Sequence, residues 1–295
     1  MIDSTALRVV GARGKSPLRA ALHRLLANQV ARGGMLIILV FFLMAALAPV
    51  VVPYNPATDS DLLARLKPPT GSHPFGTDAL GRDILLRIVH GARVSLSLGV
   101  GSVVLAALIG SCLGLLAGYA GRGTDLCLMF CMDILLAFPA TLLAIAIVAM
   151  IGPGLRNALI AISVVSIPFY ARITRGEVLA LKEREFVTAA RALGGGPIRV
   201  ILCHIFPNTL PPLAVQTTLA IAFAILEAAA LGFLGLGAQP PTPEWGAMLA
   251  DSYKFFTSGA WWAFFFPGVT IMLSVLGFNL VGDALRDALD PRMRI

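Results

Sequence analysis

The chain has 295 residues, of which 57% are hydrophobic and 13% are charged, and its formal net charge is +7. Soluble domains average about 45–50% apolar and about 25% charged residues, so this composition excludes an ordinary soluble protein and predicts an integral membrane protein. The positive charge does not indicate a nucleic-acid-binding protein, because the basic residues are spread over several loops and form no single stripe.

Residues 1–34 form a basic N-terminal tail. Leucines at helical spacing within residues 16–31 predict an amphipathic helix that lies on the inner leaflet and contacts membrane lipid. Residues 9–16 imitate a phosphate-binding loop, but Val9 stands where the motif requires glycine. The apolar run that follows has no small-residue cleavage site, so we interpret it as a retained first helix and not as a signal peptide.

Residues 35–295 are predicted to form one all-α membrane domain with six transmembrane helices. Five runs without Asp, Glu, Lys or Arg reach the length of about 18–20 residues that a helix needs to cross hydrocarbon. A sixth run, 157–171, is shorter and predicts a tilted or protein-buried span. The six predicted spans are approximately 35–53, 93–118, 127–150, 157–171, 209–231 and 263–283.

Arginine and lysine are concentrated in alternate loops. Segments 1–34 and 171–208 each contain six of them, whereas the loops between contain fewer. Because cytoplasmic loops carry an excess of Lys and Arg, both termini and segment 171–208 are predicted to be cytoplasmic, and segments 53–92 and 237–262 to lie outside.

Two features of the spans suggest contacts within the membrane. Ala106, Gly110, Gly114 and Gly118 form a ladder of small residues that allows close helix packing, with a neighbour either in this chain or in a partner. Asp133 and Glu227 are the acids nearest the hydrocarbon. Each is interpreted either as a group of the translocation path or as an acid paired with a helix end or a neighbouring donor.

No pattern in the sequence predicts a catalytic, cofactor-binding or metal-binding site in this chain. The four histidines are scattered, and Cys127 and Cys131 have no third ligand nearby in sequence. If ATP drives this protein, another chain must therefore bind it.

Segment 177–208 contains the most informative motif. Residues 185–193 predict a short helix, which Gly194 and the residues up to Pro197 end sharply. A short helix that projects from a membrane domain is suited to docking in a groove of a soluble partner. The residues assigned to this docking are Glu185, Phe186, Thr188, Ala189, Ala190, Leu193 and Gly194.

This segment resembles the EAA loop of permease subunits in binding-protein-dependent ABC importers. Ala189, Ala190 and Gly194 match the family pattern, the proline at 207 keeps its spacing, and Thr188 replaces the usual glutamate. Segments 73–83, 231–237, 243–246 and 279–291 are similar, in consistent order, to the C-type permease subunit of dipeptide, oligopeptide and nickel importers.

The resemblance implies a type I importer of the bacterial inner membrane that moves dipeptides or short oligopeptides. Its expected partners are a homologous B-type permease, two ATPase subunits that bind ATP and Mg²⁺, and an extracytoplasmic solute-binding protein. Residues 185–194 would then couple half of the translocation path to the ATPases. Alternative cargoes are nickel, glutathione or D-amino-acid dipeptides, and the alternative classes are a secondary transporter or a membrane enzyme.

Overall fold

The computed structural model describes residues 24–51, 53–55 and 58–289, so most of the predicted basic tail lies outside the described residues. The described residues form helices and one isolated bridge between Thr77 and Asp83, with no extended strand. The main helices are α1 Gln29–Val51, α2 Ile84–Ala120, α3 Arg122–Leu136, α4 Ala140–Ile151, α5 Leu155–Leu181, α6 Glu185–Ala192, α7 Phe206–Phe233, α8 Trp245–Ser252 and α9 Trp262–Leu289.

The described helices confirm the predicted all-α membrane fold. Five of them are long and apolar enough to cross a membrane, and the bent pair formed by α3 and α4 is the sixth candidate. Of the amphipathic N-terminal helix that was predicted, the described part shows residues 24–27 as helical and Asn28 as the cap of α1, accepting from the Val30 N–H at 2.9 Å.

Helix α2 begins well before the predicted span 93–118 because Asp83 caps it. The Asp83 carboxylate accepts from the Leu86 N–H at 3.1 Å and lies 2.8 Å from Nδ1 of His73. With 37 residues, α2 is about 55 Å long at about 1.5 Å per residue. It therefore exceeds the hydrocarbon thickness of about 30 Å and must tilt or project beyond it.

The predicted span over 127–150 corresponds to a bent pair of helices, α3 and α4. The chain breaks between α3 and α4, and the two helices meet at a bend of 92°. Pro139 explains the break, since it has no N–H to donate and disfavours helical geometry at Phe138. Helix α4 has 12 residues and is only about 18 Å long, so it is too short to cross the hydrocarbon by itself.

The neighbour of the small-residue ladder on α2 is α5 of the same chain. A Cβ at Gly110 would lie 2.6 Å from the Ile167 carbonyl oxygen, and one at Gly114 would lie 2.5 Å from the Ala171 carbonyl oxygen. The two backbones are thus in direct contact. Helix α5 itself continues past the predicted 157–171 span, to Leu181.

The core lies where α2, α5 and α7 meet. Leu98, Tyr170 and Ile225 are among its fully buried side chains, and α9 packs against α1 and α7 on the outside of this group. A turn Pro197–Val200 and a π-helical segment Ile201–Ile205 lead directly into α7. The bundle therefore has one end that carries α6, called the α6 end below, and an opposite end that carries α8.

Candidate coupling surface and membrane cavity

Helix α6 is fixed to the membrane helices by one buried side chain. Val187 is fully buried and packs in a small cluster with Val178, Val200 and Ile205. The Arg191 guanidinium also lies 5.4 Å from the centroid of the Tyr119 ring on α2. Movement of α6 would therefore be transmitted to α2, α5 and the start of α7.

The C-terminus of α6 has the predicted glycine cap. Gly194 has φ +84°, and the Gly195 N–H donates to the Ala190 carbonyl at 3.0 Å. Because residues other than glycine are disfavoured in this left-handed conformation, Gly194 sets the direction in which the chain leaves α6.

The outer face of α6 exposes apolar side chains. Phe186 is 44% exposed and Leu193 is 89% exposed, with Ala189 between them on the same side of the helix. Ile198, in the following turn, is 73% exposed. These four residues are called the α6 surface below.

The structure separates two residues that the sequence analysis assigned to the same docking contact. Ala189 is exposed, whereas Ala190 is half-buried and packs against the Val187 cluster. Neighbouring helical residues point about 100° apart, which is why they cannot share a face. Glu185 and Thr188 are exposed, beside the α6 surface.

Asp133 pairs with a neighbouring donor. Arg172 Nη2 on α5 donates to Asp133 Oδ1 on α3 at 2.5 Å, and both side chains are about half exposed. A second ion pair, between Asp125 and Arg175, joins the same two helices, with Arg175 Nη2 2.7 Å from Asp125 Oδ2. Asp133 is thus part of a set of inter-helix ties near the α6 end.

Glu227 on α7 is placed differently, beside the N-terminus of α4. Thr141 donates its hydroxyl to Glu227 Oε1 at 2.8 Å. The other carboxylate oxygen, Oε2, is buried and accepts no hydrogen bond from the described residues. Half of this carboxylate therefore has no hydrogen-bond donor among the described residues.

A cavity of about 280 Å³ opens at Glu227 between α4, α5 and α7. Its walls are mostly apolar, with a few polar groups at intervals. The lining residues are Ala140, Ala144, Ile162, Val165, Ser166, Phe169, Tyr170, Gln216, Ala220, Phe223, Ala224 and Glu227. A cavity of this composition is typical of a binding site for a small molecule.

The opposite end of the bundle holds a buried ion cluster that sequence reasoning did not identify. Asp78 Oδ2 accepts from Arg82 Nε at 2.7 Å and from Arg87 Nη1 at 2.5 Å. Asp251 Oδ2 on α8 lies 3.4 and 3.3 Å from the same two guanidinium groups. The cluster fixes the loop before α2 against α8, and the only sequence signal for it was the 73–83 motif.

Glu244 caps α8 from a buried position. Its carboxylate accepts from the N–H groups of Gly246 and Ala247, both at 2.8 Å, and from the Ser95 hydroxyl at 3.2 Å. Burial raises the pKa of the Glu244 carboxyl above its ordinary value, and these hydrogen bonds partly oppose the increase.

Among the described residues, no three His, Cys, Asp or Glu side chains come together in a group that could hold a metal ion. The four cysteines are free.

The chain is similar in sequence to known proteins along nearly its whole length. A family model described as "Binding-protein-dependent transport system inner membrane component" matches residues 110–295, and one described as "N-terminal TM domain of oligopeptide transport permease C" matches residues 16–69. The dipeptide transport system permease protein DppC of Alkalihalophilus pseudofirmus is 53% identical over 95% of this chain and 91% of its own. The di/tripeptide transport system permease protein DppC of Pseudomonas aeruginosa is 50% identical over 95% of this chain and 93% of its own.

A solved structure supports the fold. An inward-facing form of the MetNI methionine ABC transporter aligns with 70% of this chain and 98% of its own, with a TM-score of 0.55 and 20% sequence identity. Together with the helices described above, these matches show that the chain belongs to the inner membrane components of binding-protein-dependent transport systems and has the all-helical fold of a type I ABC importer permease.

Proposed function

We propose that this chain is a permease subunit of an importer that uses ATP to move dipeptides or short oligopeptides across the bacterial inner membrane. The observation that carries the proposal is the identity of 50% or more, over 95% of the chain, with two relatives named as dipeptide and di/tripeptide permeases. In this proposal the chain has a transport role and does not hydrolyse ATP itself. ATP and Mg²⁺ belong to two partner ATPases, and a B-type permease completes the path.

The α6 surface is the proposed contact with an ATPase subunit, and α6 is the coupling helix. Its apolar side chains are exposed on a helix that is rigidly tied to the bundle through Val187. Exposed apolar and aromatic residues around a helix suit insertion into a groove of a partner. A shift of the ATPases would then be passed to α2, α5 and α7, which surround the path.

The charge distribution supports an orientation with the α6 end in the cytoplasm. Arg172, Arg175 and Lys182 lie at this end, in agreement with the excess of basic residues expected on the cytoplasmic side. The α8 end would then face the solute-binding protein, through the segments 53–83 and 234–261.

A bacterial strain that depends on an imported dipeptide tests the substrate assignment. Deletion of the gene for this chain should abolish growth on a dipeptide as the only source of a required amino acid, while growth on the free amino acid continues. The intact gene supplied on a plasmid should restore growth. Unchanged growth of the deletion strain, with no other peptide importer present, would contradict the proposal, and nickel or glutathione uptake would then be measured in the same strain.

A further inference from the structure

The membrane cavity follows one face of α7 over about the length of a small peptide. Gln216, Ala220, Phe223 and Glu227 are spaced by three or four residues, so they line up along the helix. Eleven residues separate Gln216 from Glu227, which corresponds to about 16 Å at about 1.5 Å per residue. An extended dipeptide spans about 7 Å and therefore fits between them.

The two ends of this row of α7 residues differ in chemistry. Glu227 supplies a carboxylate at one end, and Gln216 supplies a neutral amide near the other. Phe169 and Phe223 are among the apolar residues between them. Among the described lining residues, Glu227 is the only Asp, Glu, Lys, Arg or His.

The described residues around Glu227 form a hydrogen bond with one of its two carboxylate oxygens and not with the other. Thr141 lies in the first turn of α4, where the partial positive charge of the helix N-terminus stabilises a nearby anion. The Thr141 hydroxyl donates a hydrogen bond to Glu227 Oε1. The buried Oε2 has no donor among the described residues. A positively charged donor that reaches the carboxylate from the cavity would stabilise it more than a neutral one.

We propose that Glu227 binds the terminal ammonium group of the peptide as it passes through the permease. The inference rests on the proposed function and identifies the chemistry that this part of the path recognises. Every free dipeptide carries this ammonium group whatever its side chains are. A carboxylate at one fixed position therefore provides a contact that all substrates share, while the apolar walls accept varied side chains.

The alternative is that Glu227 only ties α7 to α4 through Thr141. Two variants separate the roles. Glu227→Gln keeps the size of the side chain and an oxygen that accepts from Thr141, but it removes the charge. Thr141→Val removes the hydrogen bond and keeps the carboxylate. A charge-dependent role predicts that the first variant is impaired more, whereas a structural tie predicts the opposite order.

The test is uptake by the complete transporter, with its ATPases and binding protein, reconstituted in lipid vesicles. Labelled alanyl-alanine, alanyl-phenylalanine and alanyl-lysine serve as substrates. In Glu227→Gln we expect uptake of all three to fall by about tenfold or more, the size expected for loss of a charge-assisted contact. Glu227→Asp should recover part of the loss, and subunit retention in both variants should stay within about twofold of wild type.

Three results would overturn the inference. These are uptake within about twofold of wild type in Glu227→Gln, a larger loss in Thr141→Val than in Glu227→Gln, or a loss confined to alanyl-lysine, which would indicate recognition of the side chain. Failure of the proposed function gives a different result, because wild-type vesicles would then import none of the three dipeptides, and the inference would fail with it.

Discussion

The substitution Ala189→Glu tests the α6 surface most sharply. Ala189 is exposed between Phe186 and Leu193, so a glutamate there can extend into solvent. In the assembled transporter the same side chain would place a charge within the proposed apolar contact to the ATPase. The change should therefore damage the assembly and leave the permease fold intact.

The structure sets the expected magnitudes. An exposed substitution away from caps and cores changes the free energy of unfolding by about 0.5 kcal/mol or less. An unpaired charge at the centre of an interface costs about 2–4 kcal/mol, which corresponds to a loss of affinity of roughly 30-fold to 1,000-fold. Ala190→Glu should behave differently, because it forces a carboxylate against the Val187 cluster and destabilises the permease itself.

The assay compares wild type, Ala189→Glu, Ala190→Glu and the conservative control Ala189→Ser. For each, the thermal unfolding of the purified permease, the co-purification of the ATPases and ATP-driven uptake are measured. We expect Ala189→Glu to unfold like wild type but to lose the ATPases and uptake, and Ala189→Ser to keep both. Full retention of the ATPases and of uptake by Ala189→Glu would refute the coupling role of this surface.

Three further predictions concern packing, pH and topology. Gly114→Ala should lower the free energy of unfolding by about 1–3 kcal/mol, because its Cβ would lie 2.5 Å from the α5 backbone. The control Gly123→Ala adds a Cβ with nothing within 4 Å and should not destabilise the permease. Chemical denaturation of the two variants measures the difference. In the folded state the Glu244 carboxyl keeps its proton to a higher pH than in the unfolded state, because its pKa is raised. Its contribution to the free energy of unfolding is therefore largest below its ordinary pKa of 4.5 and is lost as pH rises through the raised pKa. The melting temperature should accordingly fall less between pH 5 and pH 8 in Glu244→Gln than in wild type, and an equal fall would contradict this. A single cysteine that replaces Glu183 should react with an impermeant thiol reagent only from the cytoplasmic side, and one that replaces Ser258 only from the outside. The reverse pattern would contradict the proposed orientation.

The membrane class and the helices were predictable because hydropathy and charge are local properties. A run of about 20 apolar residues has few ways to satisfy its backbone in lipid except as a helix. The break at Pro139 shows the limit of that reasoning. The proline was visible in the sequence, but the charge-free run across it suggested continuity. Proline can be tolerated within a membrane helix, as Pro168 is in α5, so the residue type alone does not decide.

The candidate sites were predictable only in part, because their partners are distant in sequence. Glu227 was a candidate as an acid in an apolar run, but its contact with Thr141 joins residues 86 positions apart. The ion cluster at the opposite end joins Arg82 to Asp251 over 169 positions. The different exposure of Ala189 and Ala190 depends on how α6 rotates against the bundle, which the short helix does not specify by itself.

The central claim, that this chain forms half of a dipeptide path driven by partner ATPases, is tested most directly by reconstitution. The complete transporter is placed in lipid vesicles with the solute-binding protein, and uptake of a labelled dipeptide is followed with ATP, without ATP, and with this chain omitted. We expect uptake above background only when ATP and this chain are both present. Equal uptake without this chain, or without ATP, would contradict the account.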